Sequence, residues 1–567
     1  MIQAHYIENK NAIAVTFPYD PQKVEVMREA AQSFKLGKSA WDPQKRQWCF
    51  KFSALPFLLQ RIPSLVLSEN LKVVWEERRQ AEVLAENDKR GLRASFLAKV
   101  DLEAPMRDGK TLMAHQKSGV KQMLAEGSVL LAGEPGTGKT RAALVYAKTF
   151  QAVIPNLKVI AIVKPYLFTN WKREAENAGV EIECASMYYS KIPLPPREPY
   201  VLLIDESHAC KEPSSKITKA VLKLAEKAVG VVMMTGTPAS NGRPKDLWTS
   251  LVAIKHSLRD KGKKFFDVRY CAGELKTIYV KGGRQLRVWD NSGASNQQEL
   301  HGLIGPKMIV WKKNECLDLP PVSFTQIEID FTGEEKKIFT HFYEERLKQA
   351  IEERRTALDE SKRAGAILTP EDEENALRVE AIAKDTFFRQ AASFAKIKTA
   401  VEVTKDSNLS GAQALLFCAF KETAEQIAKA LECPCVTSDL AGVKRQKVVD
   451  DFQAGKHQNL VLTYGSGETG LNLQAASVVI RVDRVWLWAS NEQAIARADR
   501  IGQENKVTVY DLFFGEHDKE MWKALEAKTE NVLLLIGGEK KEFHKGSLAE
   551  IKSALVKQME ERIGLCE

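Results

Sequence analysis

Long apolar runs are missing from this chain. Nothing in it approaches the roughly 18 consecutive apolar residues of a membrane-spanning helix, so no membrane partner is expected. The opening residues, Met1-Ile2-Gln3-Ala4-His5, lack a basic stretch followed by an apolar one, and a secretory leader is not expected. Cysteine is sparse and scattered. Of nine, only Cys433 and Cys435 are close, Pro434 separates them, and no second pair is near. That excludes a zinc pattern and fits thiols idle in a reducing compartment. No sign of charge dominates: 83 Lys and Arg stand against 74 Asp and Glu, a net +9 that tolerates a polyanionic partner without requiring one. Neither an internal repeat of fixed short period nor a long acidic or basic tail is present.

What is present is an ordinary globular composition, 44% hydrophobic and 28% charged, over 567 residues. That length suggests about three or four domain-sized units. Near the start, Ala12 to Phe17 reads as a strand and Pro21 to Phe34 as a helix. Asp42-Pro43 signals a turn, and Trp48, Phe50 and Phe52 alternate as in a half-buried strand. Charge-rich residues 70–91 read as a helical connector. Between about 105 and 250, four apolar runs (129–132, 159–163, 201–204 and 231–234) alternate with helical stretches. Such runs are strands buried on both faces of a parallel sheet. The rhythm returns at 414–417, 460–462, 478–480 and 507–510, which predicts a second lobe. Between the lobes lie a hairpin signal at Gly282-Gly283 and helical stretches at about 334–360 and 371–404. A further helical segment follows 545.

Gly133-Glu134-Pro135-Gly136-Thr137-Gly138-Lys139-Thr140 follows a strand and opens a helix, the setting of a phosphate-binding loop. Gly133, Gly136 and Gly138 let backbone N–H groups close around phosphate oxygens, and Thr137 lies in the same loop. Lys139 is placed to reach the terminal phosphates, and the Thr140 hydroxyl to ligate magnesium. Asp205-Glu206-Ser207-His208 ends the third strand of this lobe, with Asp205 suited to hold magnesium and Glu206 to orient or deprotonate water. Together these motifs imply NTP hydrolysis, which kinases, transporters and GTPases share.

The remaining motifs resemble those of superfamily two helicases, in the Swi/Snf-type branch of ATP-dependent DNA translocases, from about 105 to 515 and in the family order. The resemblance rests on Asp205 to His208, on Thr235-Gly236-Thr237-Pro238, on Thr469 to Leu473, and on the string Gln493 to Gln503, which contains Arg497 and Arg500. It implies two RecA-like parallel-sheet lobes with a helical insert, and ATP and Mg2+ as cofactors. Gln116 would read adenine. His208, Thr235, Thr237, Gly470 and Gln493 would couple hydrolysis to movement. Arg497 and Arg500 lie three apart on one helical face, as arginine fingers for the other lobe's nucleotide. Asp499 stands where the family often has His. Lys164, Asn170, Trp171, Lys172 and Asn241 would touch the DNA backbone without reading bases.

The stretch Trp289 to Asn296, with Met308-Ile309-Val310-Trp311-Lys312-Lys313 and Leu319-Pro320-Pro321, resembles the annealing-helicase subfamily, although Val310 and Trp311 replace its two arginines. Trp41-Asp42-Pro43 through Trp48-Cys49-Phe50 is similar to that subfamily's HARP module, in which Lys45, Arg46 and Lys51 would meet DNA. The expected plan is α/β: a small N-terminal α+β domain at 1–85, lobe 1 at 86–250, an insert at 251–405, lobe 2 at 406–545 and a C-terminal helix at 546–567. The resemblance implies a monomeric translocase on double-stranded or forked DNA that remodels or anneals strands, with single-strand-binding or recombination proteins as partners. The alternatives are a strand-separating helicase and a partner-recruited nucleoprotein remodeller. Its expected place is the cytoplasm of a bacterium or phage-infected cell, or the nucleus of a eukaryote.

Overall fold

The computed structural model describes residues 2–33, 40–238, 243–280, 284–329, 333, 336–345, 385–440, 442–467, 471–515, 518–523 and 525. Asn241, Gly470, Gly282-Gly283, most of the expected helix at 334–360 and the expected helix at 546–567 lie outside them. No described helix is long and apolar enough to cross a membrane.

At the N-terminus, β1 (Gln3–Ile7), β2 (Ala12–Thr16), β3 (Trp41–Asp42), β4 (Gln47–Lys51) and β5 (Val66–Leu67) form a mixed sheet in the order β3-β4-β2-β1-β5. The helix Pro21–Ser33 belongs to the same unit, and Ile13, Val15, Met27 and Phe50 fill its core. Asp42 accepts from the backbone N–H groups of Gln44 and Lys45, and Arg46 turns back with φ +48°. Trp41 packs on Trp48 at 5.3 Å between ring centroids yet stays 40% exposed. The helix Glu69–Leu97 runs through the expected boundary at residue 85.

In lobe 1 follow β6 (Ser128–Gly133), β7 (Lys158–Val163), β8 (Glu183–Ser186), β9 (Tyr200–Ile204) and β10 (Gly230–Thr235). An antiparallel hairpin comes next, β11 (Glu274–Val280) with β12 (Arg284–Asp290), and then β13 (Met308–Trp311). The sheet is parallel in the order β13-β6-β10-β9-β7-β8. Its central strands are largely hydrophobic because both faces are covered. Leu130, Ile162 and Leu202 point into one core, whereas Val129, Ala161 and Leu203 point into the other.

Lobe 2 repeats the plan with β14 (Val322–Ile329), β15 (Ala414–Cys418), β16 (Cys435–Val436), β17 (Asn459–Thr463), β18 (Val478–Arg481) and β19 (Val507–Phe514), ordered β14-β19-β18-β15-β17-β16. Leu416 and Ile480 face one core, Leu415 and Val479 the other. The stretch 251–405, expected as an insert, contributes to both sheets where it is described. It supplies β13 to the edge of one sheet and β14 to the edge of the other. In lobe 1 the segments after β6, β9 and β10 leave the carboxyl ends of the strands, where open parallel sheets bind ligands, whereas in lobe 2 Arg497 and Arg500 lie on the segment that leads into the amino end of β19.

Candidate active site in the cleft between the lobes

The phosphate loop leaves β6 and enters the helix Lys139–Gln151. Gly136 and Gly138 hold φ of +90° and +78°, conformations that any side chain would strain. Lys139 Nζ donates to the carbonyls of Gly133 at 2.6 Å and Glu134 at 3.2 Å, so the loop is closed on its own lysine. Burial lowers the pKa of that ammonium, with Glu206 and Asp205 pulling the other way. Gln116 is 2% exposed and spans the loop. Its Oε1 accepts from Met113 N at 3.0 Å, and its Nε2 donates to the Thr137 carbonyl at 3.3 Å. His115 joins the same carbonyl at 2.9 Å. Neighbouring Thr235-Gly236 presses on the loop: a Cβ on Gly236 would lie 3.3 Å from Pro135 Cδ.

Asp205 and Glu206 leave β9 side by side, and both line the cleft. Glu206 adopts left-handed φ, +47°. Burial and the adjoining Glu206 carboxylate push Asp205 up, against the opposing pull of Lys139 and the Trp171 N–H. Burial also works against ionised Glu206, but His208, Lys139 and Lys164 outweigh it and hold that carboxyl low. His208 Nδ1 sits 3.2 Å from Glu206 Oε2 and 3.4 Å from Thr235 Oγ1, and Thr235 Oγ1 accepts from Thr237 N at 3.0 Å. The acid pair is thereby wired to the Thr235–Thr237 loop.

From lobe 2, Gln493, Ala496, Arg497 and Arg500 close the same cleft, a cavity of about 690 Å³ with walls from both lobes. A Cβ on Gly136 would come within 3.2 Å of Arg500 Cβ, so the stem of Arg500 lies directly on the phosphate loop. Arg497 is near enough to disfavour the charge on Lys139. Burial first, and Arg497 second, lower the pKa of Arg500 to about 10, and it donates to the Leu471 carbonyl at 3.1 Å. Two guanidinium groups and an ammonium facing one cavity form a site for a polyanion.

The donor set fits a magnesium–nucleotide pair better than a bare metal. Among the described residues no group of three or more His, Cys, Asp or Glu is placed to hold an ion. The Thr140 hydroxyl and the Asp205 carboxylate are among the oxygens that line the cavity, and magnesium is usually completed by substrate phosphates and water.

Trp171, expected at the DNA backbone, is 1% exposed, and its indole Nε1 donates to Asp205 Oδ2 at 3.1 Å. Asn170 also lines the cleft and accepts from Arg173, and half-buried Lys164 acts on Glu206. Of the four described, only Lys172 is exposed. Residues that the motifs did not reveal include Trp171 in this role and Arg141, which bridges Asp108 at 2.6 Å and Glu174 at 3.0 Å in the cleft wall.

A phosphate loop and acid pair on one parallel-sheet lobe, faced by arginines from a second, define a two-lobed nucleoside-triphosphatase. Residues 194–378 match the SNF2-related domain and residues 395–502 the helicase conserved C-terminal domain. The chain thus carries an SNF2-related domain followed by a helicase conserved C-terminal domain, the pair expected of a DNA-dependent ATPase. One relative is the SWI/SNF-related matrix-associated actin-dependent regulator of chromatin subfamily A-like protein 1 of Xenopus tropicalis. It is 25% identical over 519 residues, 86% of this chain and 51% of that protein. Another is the mouse DNA annealing helicase and endonuclease ZRANB3, 25% identical over 467 residues, 76% of this chain and 41% of that one. The chain spans about half the length of the curated relatives it matches. The solved Sulfolobus solfataricus SWI2/SNF2 ATPase core in complex with dsDNA shares 20% identity and a TM-score of 0.33, over 82% of this chain and 98% of that one.

Proposed function

We propose that this chain is an ATP-driven translocase on double-stranded DNA that remodels or anneals strands at forks and junctions. The observation that carries the motor reading is the split site: the phosphate loop and acid pair belong to lobe 1, and Arg497 and Arg500 to lobe 2. Nucleotide held by one half alone lacks its finger, so binding draws the cleft shut and hydrolysis releases it. Lys139 and the two arginines balance phosphate charge, and Glu206, held ionised, orients the attacking water. Magnesium, when bound with the nucleotide at Thr140 and Asp205, would neutralise charge on the phosphates. The His208–Thr235–Thr237 contacts give hydrolysis a mechanical route to the loop that follows β10. Exposed Lys172 is proposed to grip the DNA backbone. The annealing reading draws on the relatives' names and on the N-terminal unit, where Trp41 lies exposed beside the Lys45–Arg46 turn.

ATPase measured with duplex, single-stranded and forked DNA and with RNA, beside annealing of protein-coated strands, tests this. Duplex or forked DNA should stimulate hydrolysis, and Lys139→Ala should abolish every ATP-dependent activity. Stimulation by RNA but not by duplex DNA would overturn the reading. One observation favours strand separation instead: the β11–β12 hairpin exposes Leu275 and Val288, apolar surface suited to a wedge. Displacement of a labelled strand without annealing would establish that alternative.

A further inference from the structure

Asp499 departs from the family string, and the structure gives it a partner on the other lobe. Lys313 Nζ lies 2.7 Å from Asp499 Oδ2 and donates to the Asp499 carbonyl at 2.8 Å. The pair is largely shielded, with side chains 15% and 10% exposed. We propose that Lys313 and Asp499 form an interlobe clasp that positions Arg500 on the phosphate loop, which makes both of them positioning residues for hydrolysis.

The geometry around the pair closes a ring. Lys313 follows β13, whose Trp311 pairs in register with Gly133 at the head of the phosphate loop. Glu134 N donates to the Trp311 carbonyl at 2.9 Å, and Lys313 N donates to Glu134 Oε2 at 2.8 Å. The segment Trp311–Lys313 is thus held to Glu134 at two points, by the Trp311 carbonyl on its backbone N–H and by the Lys313 N–H on its carboxylate. Its side chain crosses the cleft to Asp499, the next residue is Arg500, and the Arg500 stem returns to Gly136. Opening the lobes by a few ångströms breaks the ion pair and withdraws Arg500 in the same movement. Because the Lys313 ammonium takes up the Asp499 carboxylate, that carboxylate does not neutralise the adjoining arginine, whose charge stays available for phosphate. A partly shielded pair is stronger than a surface pair, and it remains breakable in every cycle because both ions are hydrated when the cleft opens.

This inference rests on the reading of the cleft as a split ATP site, and the controls separate the two. Duplex-stimulated ATPase of the full chain would be compared for Lys313→Glu, Asp499→Lys, the charge-swapped double variant, Asp499→Asn and Lys139→Ala, each with its melting temperature. Both charge reversals should lower kcat by about 10- to 100-fold, as misplacement of an aligned group does, with KM for ATP within about threefold. The double variant should recover at least about tenfold over either single one, since a double-mutant cycle isolates the pair. Asp499→Asn, which keeps the carbonyl acceptor and the side-chain volume, should fall between wild type and Lys313→Glu while melting like wild type. Activity surviving in Lys139→Ala would overturn the split-site reading itself. If Lys139→Ala is dead but both reversals keep full kcat, or the double variant is no better than the singles, the clasp is wrong and the split site stands.

Discussion

Asp205 and Trp171 tie hydrolysis to stability through one hydrogen bond. The folded protein holds the Asp205 proton more tightly than the unfolded chain does, because burial and Glu206 push that carboxyl from 3.8 to about 6. Stability from this group is therefore lost as pH rises from about 4 towards 6, and it stays lost at neutral pH. Glu206, held low, gives the opposite slope but only below its ordinary range, so between about pH 4.5 and 6 Asp205 dominates. Asp205→Asn keeps an oxygen for the indole and removes the charge. It should abolish ATPase yet stabilise the nucleotide-free protein at pH 7 by on the order of 1 to 2 kcal/mol, and flatten the pH dependence of melting in that window. A lower melting temperature at pH 7 would contradict this. Trp171→Phe keeps the ring and deletes the N–H, so Asp205 loses a partner that favours its charged form. The expected result is a roughly tenfold drop in kcat, with magnesium dependence shifted to higher concentration. An unchanged magnesium titration would remove Trp171 from the site.

Elements were legible where both faces of a strand are buried. The eight central runs read from the chain correspond to β6, β7, β9 and β10 in lobe 1 and to β15, β17, β18 and β19 in lobe 2, because a two-sided core demands unbroken apolar residues. Edge strands escaped for the converse reason. β14 reads Val-Ser-Phe-Thr-Gln-Ile-Glu-Ile and is largely exposed, and β16 has two residues. β13 was visible as a string but not as the sheet edge that locks the phosphate loop, since its pairing partner lies far back in the chain. Two helix glycines then predict opposite outcomes. On Gly119, a Cβ would fall inside van der Waals contact of the Trp311 ring, which His115 backs at 4.9 Å between centroids. Gly119→Ala should destabilise lobe 1 by about 1 to 3 kcal/mol through overpacking. Gly302, in the helix Gln297–Ile304, has nothing within 4 Å of such a Cβ. Gly302→Ala should stabilise by up to about 1 kcal/mol. Thermal melting of the two variants checks both signs.

Across the whole molecule, each half of the site was readable as a local string, but their meeting was not. Gly133 to Thr140, Asp205-Glu206 and Arg497 with Arg500 are contiguous motifs, whereas Trp171–Asp205 and Lys313–Asp499 join residues 34 and 186 positions apart. Motifs record what each lobe must offer the nucleotide, and leave open how the lobes hold each other. That distinction has a thermodynamic consequence. The lobes have separate hydrophobic cores, none of which spans the cleft among the described residues. What crosses it is small: the Lys313–Asp499 pair and the stem of Arg500 against Gly136. Without nucleotide, calorimetry should resolve the lobes as two transitions, since a contact of this size couples them weakly. A slowly hydrolysed ATP analogue bound to both halves adds its binding energy to the closed form, about 2.7 kcal/mol at a hundredfold excess over Kd. The two transitions should then merge or converge. In Arg497→Ala/Arg500→Ala, lobe 1 still binds the analogue through Lys139 and Gln116, so its transition alone should rise while that of lobe 2 stays in place. One transition in every state, or an equal rise of both lobes in the arginine variant, would mean that nucleotide is not what joins them.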